Sequence, residues 1–359
     1  MTHLERLRQL MSEKNLEAVF VSSAINQRYL TDFSFSDGYL LITHEDAVLL
    51  TDSRYVEAAR NTVKDFTVMI PPSGKSMRET VTALVAEKKI SSLAVEDTSL
   101  SIATFRALCD AMGDCKLVPG ASAALTSLRA VKTAEEMDRM ARAQAITDEA
   151  FSYILTILSP KITEREVALE LEYFMRKHGA EACAFQTIAV SGSASSLPHG
   201  VPRDLPLEPG LLTMDFGARV DGYCSDMTRT VCMGKATDEM RLIYNTVLTA
   251  QRAALDMIAE GVLCRDADAA ARSVIKEAGF GEYFGHSLGH GVGMLVHESP
   301  SLSARAPEHS RLVRGNVVTV EPGIYLEGKF GCRIEDMVAI DLDGSVRNFT
   351  KSPKELIEL

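Results

Sequence analysis

The chain has 359 residues, more than one hydrophobic core usually serves, so two domains are expected. Its formal net charge is −11 and no run of Lys or Arg is longer than two residues, as in Lys88-Lys89, which argues against a nucleic-acid partner. No apolar stretch approaches the roughly 18 residues that cross a bilayer, and the N-terminus lacks the pattern of a signal peptide, so we expect a cytoplasmic protein without membrane contact.

Strand and helix patterns alternate through the first third of the chain. Helices are predicted over about 4–16, from 54, over 77–89 and over 101–112, and strands over 18–21, 39–42, 47–50, 66–70 and 92–95. This alternation predicts an α/β domain. The pattern lapses between about 117 and 132, so we divide the chain into an N-terminal domain of residues 1–128 and a C-terminal domain of residues 129–359.

The C-terminal part begins with two helices that capping boxes mark at Thr133 and Thr163, reaching about 158 and 178. Strand-rich blocks over 185–233 and 317–349 follow, separated by helices over 238–260 and 266–278. Each block follows a pair of helices and holds a hairpin with two acidic residues. The two halves therefore look like crude copies of one unit, although no sequence repeat is clear.

The first hairpin places two aspartates, Asp215 and Asp226, in an apolar strand pair. Its Asp221-Gly222 pair favours a tight turn with positive φ. Because the aspartates are eleven residues apart, a two-residue loop at Val220-Asp221 or at Asp221-Gly222 brings both carboxylates to one face, opposite each other or displaced by one pair. Two like charges there are destabilising unless a cation lies between them, and a metal ion is the obvious candidate.

The second hairpin carries Glu321 and Glu335, which are fourteen residues apart. An even separation brings them to one face only if the loop has an odd length or a bulge adds a residue. A three-residue loop over 327–329 would centre the hairpin on Gly328 and put the glutamates opposite each other. Either glutamate alone would more often be an exposed strand residue, but apolar neighbours favour burial here.

Three of the eight histidines, His286, His290 and His297, lie within twelve glycine-rich residues between the hairpins. A lone histidine would more often be packed in a core, whereas three together favour a site. Two divalent cations would neutralise the four carboxylates, and one histidine would add a nitrogen ligand. Oxygen-rich ligation suits Mn²⁺, with Co²⁺, Zn²⁺ or Fe²⁺ as alternatives, and two such ions could share a hydroxide, the nucleophile of a hydrolase.

These residues resemble the pita-bread metallopeptidases, and within them the proline-specific branch of aminopeptidase P and prolidase (Xaa-Pro dipeptidase). Five residues match the family's ligands to two metal ions: Asp215 in MDFG, Asp226 in YCSDMTRT, His290 in GHGVG, Glu321 in VEPGIY and Glu335 in RIED. The resemblance covers the whole chain. It implies an α/β N-terminal domain, an α+β pita-bread catalytic domain with pseudo-two-fold symmetry, and a homodimer.

The implied activity is metal-dependent hydrolysis of the bond before a proline at the second position of a peptide, which releases the N-terminal residue. By the family pattern, Asp215 and Glu335 would bridge both ions, Asp226 would chelate one, and His290 and Glu321 would complete the other. The sequence alone does not assign this division.

The same comparison implies roles on the substrate side. His297 resembles the residue that contacts the scissile carbonyl or the departing peptide, and His286 and His199 resemble further substrate-side histidines. Glu321 would also carry a proton from the metal-bound water to the leaving proline nitrogen. Arg333 would orient carboxylates or neighbouring histidines, the alternative being a surface arginine.

The length of the substrate stays open. Prolidases of this family often carry an arginine soon after the segment of His297, where this chain has Ser299-Pro300-Ser301-Leu302 and its nearest arginine is Arg305. This departure favours aminopeptidase P over a strict dipeptidase. Arg54 could reach the active site of a partner subunit or lie on the surface.

Three alternatives on the same fold remain: a methionine aminopeptidase-like enzyme, a metal-free creatinase-like amidinohydrolase, and a non-catalytic peptide-binding protein. The last two usually lack several of the five ligands. The first usually lacks the N-terminal domain and the RIED context.

Overall fold

A computed structural model describes all residues, Met1–Leu359, which form two compact units, Met1–Arg129 and Ala130–Leu359. No helix combines the length and the apolar character needed to cross a lipid bilayer. The candidate site lies wholly in the second unit.

The first unit is an α/β fold built on one mixed six-stranded sheet. Its elements are α1 (His3–Glu13), β1 (Ala18–Val21), α2 (Ala24–Thr31), β2 (Gly38–Thr43), β3 (Ala47–Thr51), α3 (Val56–Thr62), β4 (Thr67–Met69), α4 (Met77–Glu87), β5 (Ser92–Val95), α5 (Ile102–Ala111), β6 (Lys116–Val118) and α6 (Ala121–Ala130). The strand order is β4-β3-β2-β1-β5-β6, with β1/β2 and β2/β3 antiparallel and the other pairs parallel.

Three elements of this unit, α2, β6 and α6, were not predicted. Helix α2 shows no apolar period because its buried face includes two polar residues, Asn26 and Gln27. The Asn26 amide donates to the Glu96 carboxylate, and the Gln27 amide donates to the Gly38 carbonyl. The buried face of helix α6 includes Ser122 and Arg129 beside alanines and two leucines, so its apolar period is weak. The lapse assigned to 117–132 is therefore wrong: a short strand and a helix occupy it.

The second unit begins with two helices that start where the capping boxes predicted, after Thr133 and Thr163. Its elements are α7 (Ala134–Ile154), α8 (Glu164–Lys177), β7 (Ala182–Cys183), β8 (Ile188–Ser191), β9 (Gly210–Phe216), β10 (Ala218–Val220), β11 (Tyr223–Cys224), β12 (Met227–Met233), α9 (Asp238–Met257), α10 (Cys264–Glu277), β13 (Gly289–Gly291), β14 (Glu298–Leu302), β15 (Val317–Val320), β16 (Gly323–Leu326), β17 (Phe330–Arg333), β18 (Asp336–Ile340) and β19 (Val346–Asn348).

The halves of this unit repeat the same backbone contacts at the start of their second helix. The matching contacts are the isolated bridges Thr163–Pro206 and Leu263–Arg311, and the hydrogen bonds from the N–H groups of Glu164 and Cys264 to the carbonyls of Leu205 and Ser310. A structural repeat is thus present where the sequence shows none clearly. This is the α+β, pseudo-two-fold architecture expected from the resemblance.

Each half also has its own hydrophobic core. One core packs α7 and α8 against β9 and β12, and the other packs α9 and α10 against β15, β16, β17 and β18. A buried Leu or Ile side chain contributes about 1.5–3 kcal/mol relative to its exposed state. Both hairpins that carry acidic residues are therefore held from behind by helices, and their backbone positions are fixed.

Candidate metal centre and active site

The first hairpin turns at Asp221-Gly222, whose two residues have positive φ, 48° and 87°. Strands β9 and β12 continue the same register, in which Asp215 pairs with Thr228. Asp226 therefore lies opposite Gly217, displaced by one pair from Asp215 and on the same face of the hairpin. The sequence allowed a loop at Val220-Asp221 or at Asp221-Gly222, and the structure has it at Asp221-Gly222.

The second hairpin has a three-residue loop over 327–329, as predicted. Its pairs, Val320 with Asp336, Gly323 with Arg333 and Leu326 with Phe330, all keep one register through β15, β16, β17 and β18. In that register Glu321 and Glu335 occupy directly opposite positions. The predicted juxtaposition is confirmed.

His290 lies on β13, between two glycines that allow neighbouring backbone to come close. A Cβ atom would lie 2.1 Å from the Thr319 carbonyl oxygen at Gly289 and 2.2 Å from that of Ser299 at Gly291, so no other residue fits either position. His290 Nε2 lies 3.3 Å from Glu321 Oε1 and its Nδ1 lies 3.1 Å from the Gly291 carbonyl oxygen. The backbone contact fixes the ring and leaves Nε2 facing the acids.

The four acids and His290 line one cavity of about 430 Å³. Burial raises the pKa of Asp226 and Glu335 well above their usual range, and the neighbouring carboxylates add to the effect. Burial also raises the pKa of Asp215, although Arg333 partly offsets it. Such a cluster is electrostatically unfavourable in the absence of a cation.

Glu321 differs from the other three acids. Burial is the largest influence and raises the pKa of Glu321, but the hydrogen bond and the charge of His290 outweigh it and leave that pKa below its usual range. The same contact raises the pKa of His290 against the effect of burial. Glu321 is therefore the one acid of the cluster whose surroundings favour its ionised form.

The donor set fits divalent metal ions. The potential ligand atoms of Asp226, His290 and Glu335 all lie within 4.8 Å of one another, and Asp215 Oδ1 is buried without a hydrogen-bond partner. A buried carboxylate oxygen that nothing satisfies is costly unless an ion takes it as a ligand. Oxygen donors with one imidazole nitrogen suit Mn²⁺ and its neighbours in the first transition row.

Arg333 is buried beside the cluster and is not a surface arginine. It donates from Nη2 to Asp215 Oδ2 over 2.7 Å and from Nη1 to the Tyr325 hydroxyl over 2.8 Å. The Tyr325 hydroxyl lies 3.1 Å from His286 Nε2, and burial raises the pKa of Tyr325 to about 12. Arg333 thus connects a candidate ligand to a candidate substrate-side histidine.

Sequence reasoning missed Tyr325, although a signal was present. Because Tyr325 is two residues from Gly323, the strand partner of Arg333, it lies on the same face of the hairpin as Arg333. Thr228 was missed as well: its hydroxyl donates to Glu335 Oε2 over 2.6 Å and accepts from Arg333 Nε over 2.9 Å. The same residue parity that places Glu321 and Glu335 on one face places Tyr325 there as well.

Three histidines border the cavity outside the acidic cluster. The ring of His297 is exposed and meets the His290 ring edge-on, with centroids 4.3 Å apart. His199 is exposed and His286 is half-buried. Burial lowers the pKa of His286 and of His297, and the charge of His290 lowers the latter further, so both imidazoles are neutral near pH 7.

The remaining cavity walls are largely apolar and were not predicted. They comprise Phe185, Gln186, Thr187, Ile188, Pro198, Gly200, Val201, Pro202, Ser287 and Val296. Arg333 is the only Lys or Arg in the lining. Arg305 is exposed and does not reach the cavity, and Arg54, in the first unit, is 62% exposed and pairs with Asp37 and Asp52.

Comparisons with known families cover both units. Residues 138–341 match the model of Metallopeptidase family M24, and residues 3–131 match that of the Creatinase/Prolidase N-terminal domain. The chain is 35% identical over 360 aligned residues to the Xaa-Pro dipeptidase of Pyrococcus furiosus, covering 99% of each chain.

Solved structures give the same result. The chain is similar to the Xaa-Pro dipeptidase of Bacillus anthracis, with a TM-score of 0.94, 40% identity and 99% coverage of each chain. It is also similar to the X-Pro aminopeptidase of Thermotoga maritima, with a TM-score of 0.91, 37% identity, and coverage of 99% of this chain and 100% of the other. Similar structures thus carry both names, dipeptidase and aminopeptidase.

Proposed function

Because this chain belongs to metallopeptidase family M24, we propose that it hydrolyses Xaa-Pro peptide bonds in a metal-dependent reaction and releases the N-terminal residue. The observation that carries the proposal is the buried cluster of four acids and His290 in a cavity bordered by three more histidines. The full-length similarity to proteins named for Xaa-Pro bonds supports the choice of substrate. A metal-free amidinohydrolase would leave four clustered carboxylates with only Arg333 and His290 as counter-charge.

We propose that five residues hold two divalent ions: Asp215, Asp226, His290, Glu321 and Glu335. When bound, such ions supply Lewis acidity and lower the pKa of a coordinated water. Arg333 orients Asp215 through its 2.7 Å hydrogen bond, and the Thr228 hydroxyl orients Glu335.

Glu321 is the proposed proton carrier of the reaction. Its pKa lies below the usual range, so its carboxylate is ionised and can accept a proton from the water that attacks the scissile carbonyl carbon. It then delivers that proton to the proline nitrogen as the C–N bond breaks.

His297 is neutral and offers an N–H donor to the scissile carbonyl or the departing peptide. Neutral His286 instead donates its one N–H, at Nδ1, to the Ser287 carbonyl and accepts from the Tyr325 hydroxyl at Nε2. His199, exposed at the cavity, completes the substrate-side set.

The cavity also suits proline for steric reasons. An Xaa-Pro bond is a tertiary amide with no N–H and with φ fixed by the ring, so a site that needs that donor binds it poorly. Phe185, Ile188, Val201, Pro202 and Val296 offer an apolar wall to a pyrrolidine ring. The proposed mechanism does not require an N–H group on the scissile amide of the substrate.

The substrate class and the activity are tested together by a peptide panel. Purified enzyme with Mn²⁺ is given Ala-Pro, Ala-Pro-Gly and Ala-Ala-Gly, and release of free alanine is measured. We expect Ala-Pro-Gly to be cleaved and Ala-Ala-Gly to be resistant. Cleavage of Ala-Pro alone would make the enzyme a strict dipeptidase, and cleavage of none would contradict the proposal.

The metal, cellular location and assembly are further proposals. Mn²⁺ is the preferred ion because most donors are carboxylate oxygens, with Co²⁺, Zn²⁺ and Fe²⁺ as alternatives. All seven cysteines are free thiols, which favours a reducing compartment such as the cytoplasm. We propose a homodimer from the family resemblance, and light scattering of the purified protein tests it.

A further inference from the structure

Lys132 and Glu298 form a buried ion pair next to the segment that carries His297. Lys132 Nζ lies 3.5 Å from Glu298 Oε2, and the two side chains are 1% and 2% exposed. Burying both charges costs several kcal/mol per ion, so such a pair is weak evidence for stability. We propose that it is instead a positioning pair for His297, an inference that rests on the function proposed above.

Glu298 is tied to His297 through the backbone. It directly follows His297 and begins β14, where it pairs with Gly291 of β13, the strand that carries His290. His297 is the last residue of the turn before this strand and is joined directly to the strand's first residue. The carboxylate of Glu298 is buried while the ring of His297 is exposed at the cavity, so fixing one side chain fixes the direction of the other.

The Glu298 carboxylate also closes the turn that precedes His297. Its Oε1 accepts the N–H of Leu295 over 3.1 Å, and a Cβ atom at Gly293 would lie 2.5 Å from its Oε2. Glycine at 293 therefore leaves the space that the carboxylate occupies. The same glycine accepts, at its carbonyl, the N–H of Cys224 over 2.8 Å, which ties the turn to the hairpin of Asp226.

The backbone of Lys132 is held in place on both sides, so its side chain has a fixed origin in the fold. Its N–H donates to the Gly315 carbonyl over 2.8 Å, and the next residue, Thr133, caps the 21-residue helix α7 through a capping box. The ammonium group thus has a fixed place in the fold. Without it, the Glu298 carboxylate would move toward water and would carry His297 away from its position beside His290.

The ion pair is tested by a double-mutant cycle. Lys132→Met and Glu298→Gln are each made alone and combined with His297→Ala, and kcat and KM are measured with an Xaa-Pro-Yaa peptide. In the presence of His297, we expect each change to lower kcat roughly 10- to 100-fold, the loss that a misplacement of about 1 Å can cause. With His297→Ala, the same changes should lower kcat less than about threefold further, because the effects of coupled residues do not add.

A merely structural role would lower kcat by the same factor in both backgrounds, and that result would overturn the proposal. The control is Lys329→Met, which removes an exposed Lys–Glu pair with a 3.0 Å separation from Glu239 and should leave kcat unchanged. If one of the two buried variants fails to fold, the cycle is completed with the other. Glu298→Gln keeps the side-chain volume and an oxygen that can accept from Leu295.

Crystal structures of the variants provide a second measurement that does not depend on activity. We expect the His297 ring to lose its edge-on contact with His290 while Asp226, His290 and Glu335 keep their positions. An unmoved His297 ring would overturn the inference. If the wild type and Lys329→Met cleave no Xaa-Pro peptide, the proposed function fails. The crystal structures then still show whether loss of the ion pair moves the His297 ring, so the two failures are distinguishable.

Discussion

Glu321 and Glu335 face each other across one antiparallel register, between the pairs Val320–Asp336 and Gly323–Arg333. Two glutamates in such positions repel each other, and the fold does nothing to separate them. Their pKa values move in opposite directions, because His290 contacts Glu321 while Glu335 is buried among carboxylates. The relationship explains why a cation is needed and why Glu321 is the acid assigned to accept a proton.

Replacing Glu335 by glutamine should have opposite effects on stability and on metal binding. Glu335→Gln removes one buried like charge and keeps an oxygen for the Thr228 hydroxyl, so the metal-free variant should gain about 1–2 kcal/mol and roughly 1–3 °C in Tm. Its affinity for Mn²⁺ should fall at least about tenfold. Calorimetry of the metal-free and titrated protein measures both quantities.

The control for that change is Glu327→Gln, an exposed glutamate in the loop of the same hairpin. It removes the same charge outside the cluster and should change neither Tm nor metal affinity. A metal-free Glu335→Gln variant less stable than the wild type would contradict the electrostatic account of the cluster.

The stability of the metal-free protein should fall as pH rises. The pKa values of Asp226 and Glu335 are raised in the folded state, so the folded state binds more protons than the unfolded state above the ordinary carboxyl pKa of about 4. Their contribution is fully present below that pH and is lost as pH rises through the raised values. We expect Tm of the metal-free protein to decline as pH rises above about 4, and to decline less with Mn²⁺.

Glu335→Gln serves as the test of cause in that pH series. The variant lacks one of the two titrating groups, so its metal-free Tm should decline less steeply than that of the wild type. Parallel curves for the two proteins would assign the pH dependence to other groups.

Loss of Arg333 should damage activity more than folding. Arg333→Met removes the donor to Asp215 Oδ2 and the contact with Tyr325, so kcat or metal affinity should fall by about 10- to 100-fold. Arg333→Lys keeps the charge but not the fork of two donors, and should recover only part of the loss. Arg347→Met, which removes a half-exposed pair with Asp341, is the control. Full activity in Arg333→Met would contradict the assigned role.

The sequence was most informative where residue parity determines which face a side chain occupies. The eleven-residue separation of Asp215 and Asp226, and the odd loop between Glu321 and Glu335, were enough to put each pair on one face. The relation between the two hairpins could not be derived in this way, because it depends on helices that pack behind them. It came from the family resemblance.

The failures of prediction also have physical causes. Helix α2 buries amides that bond to Glu96 and to backbone, and the buried face of helix α6 includes Ser122 and Arg129, so neither shows a clear apolar period. The Lys132–Glu298 pair joins residues far apart in sequence, and nothing local marks either as buried. Polar contacts between residues far apart in sequence cannot be predicted from periodicity and motifs.

The most direct test of the account is activity as a function of metal content. Metal is stripped from the purified protein, Mn²⁺ is added in defined equivalents, and the release of alanine from Ala-Pro-Gly is measured at each point. The account predicts no activity in the stripped protein and full activity at about two equivalents per chain. Activity in the stripped protein, or none at any metal content, would contradict it.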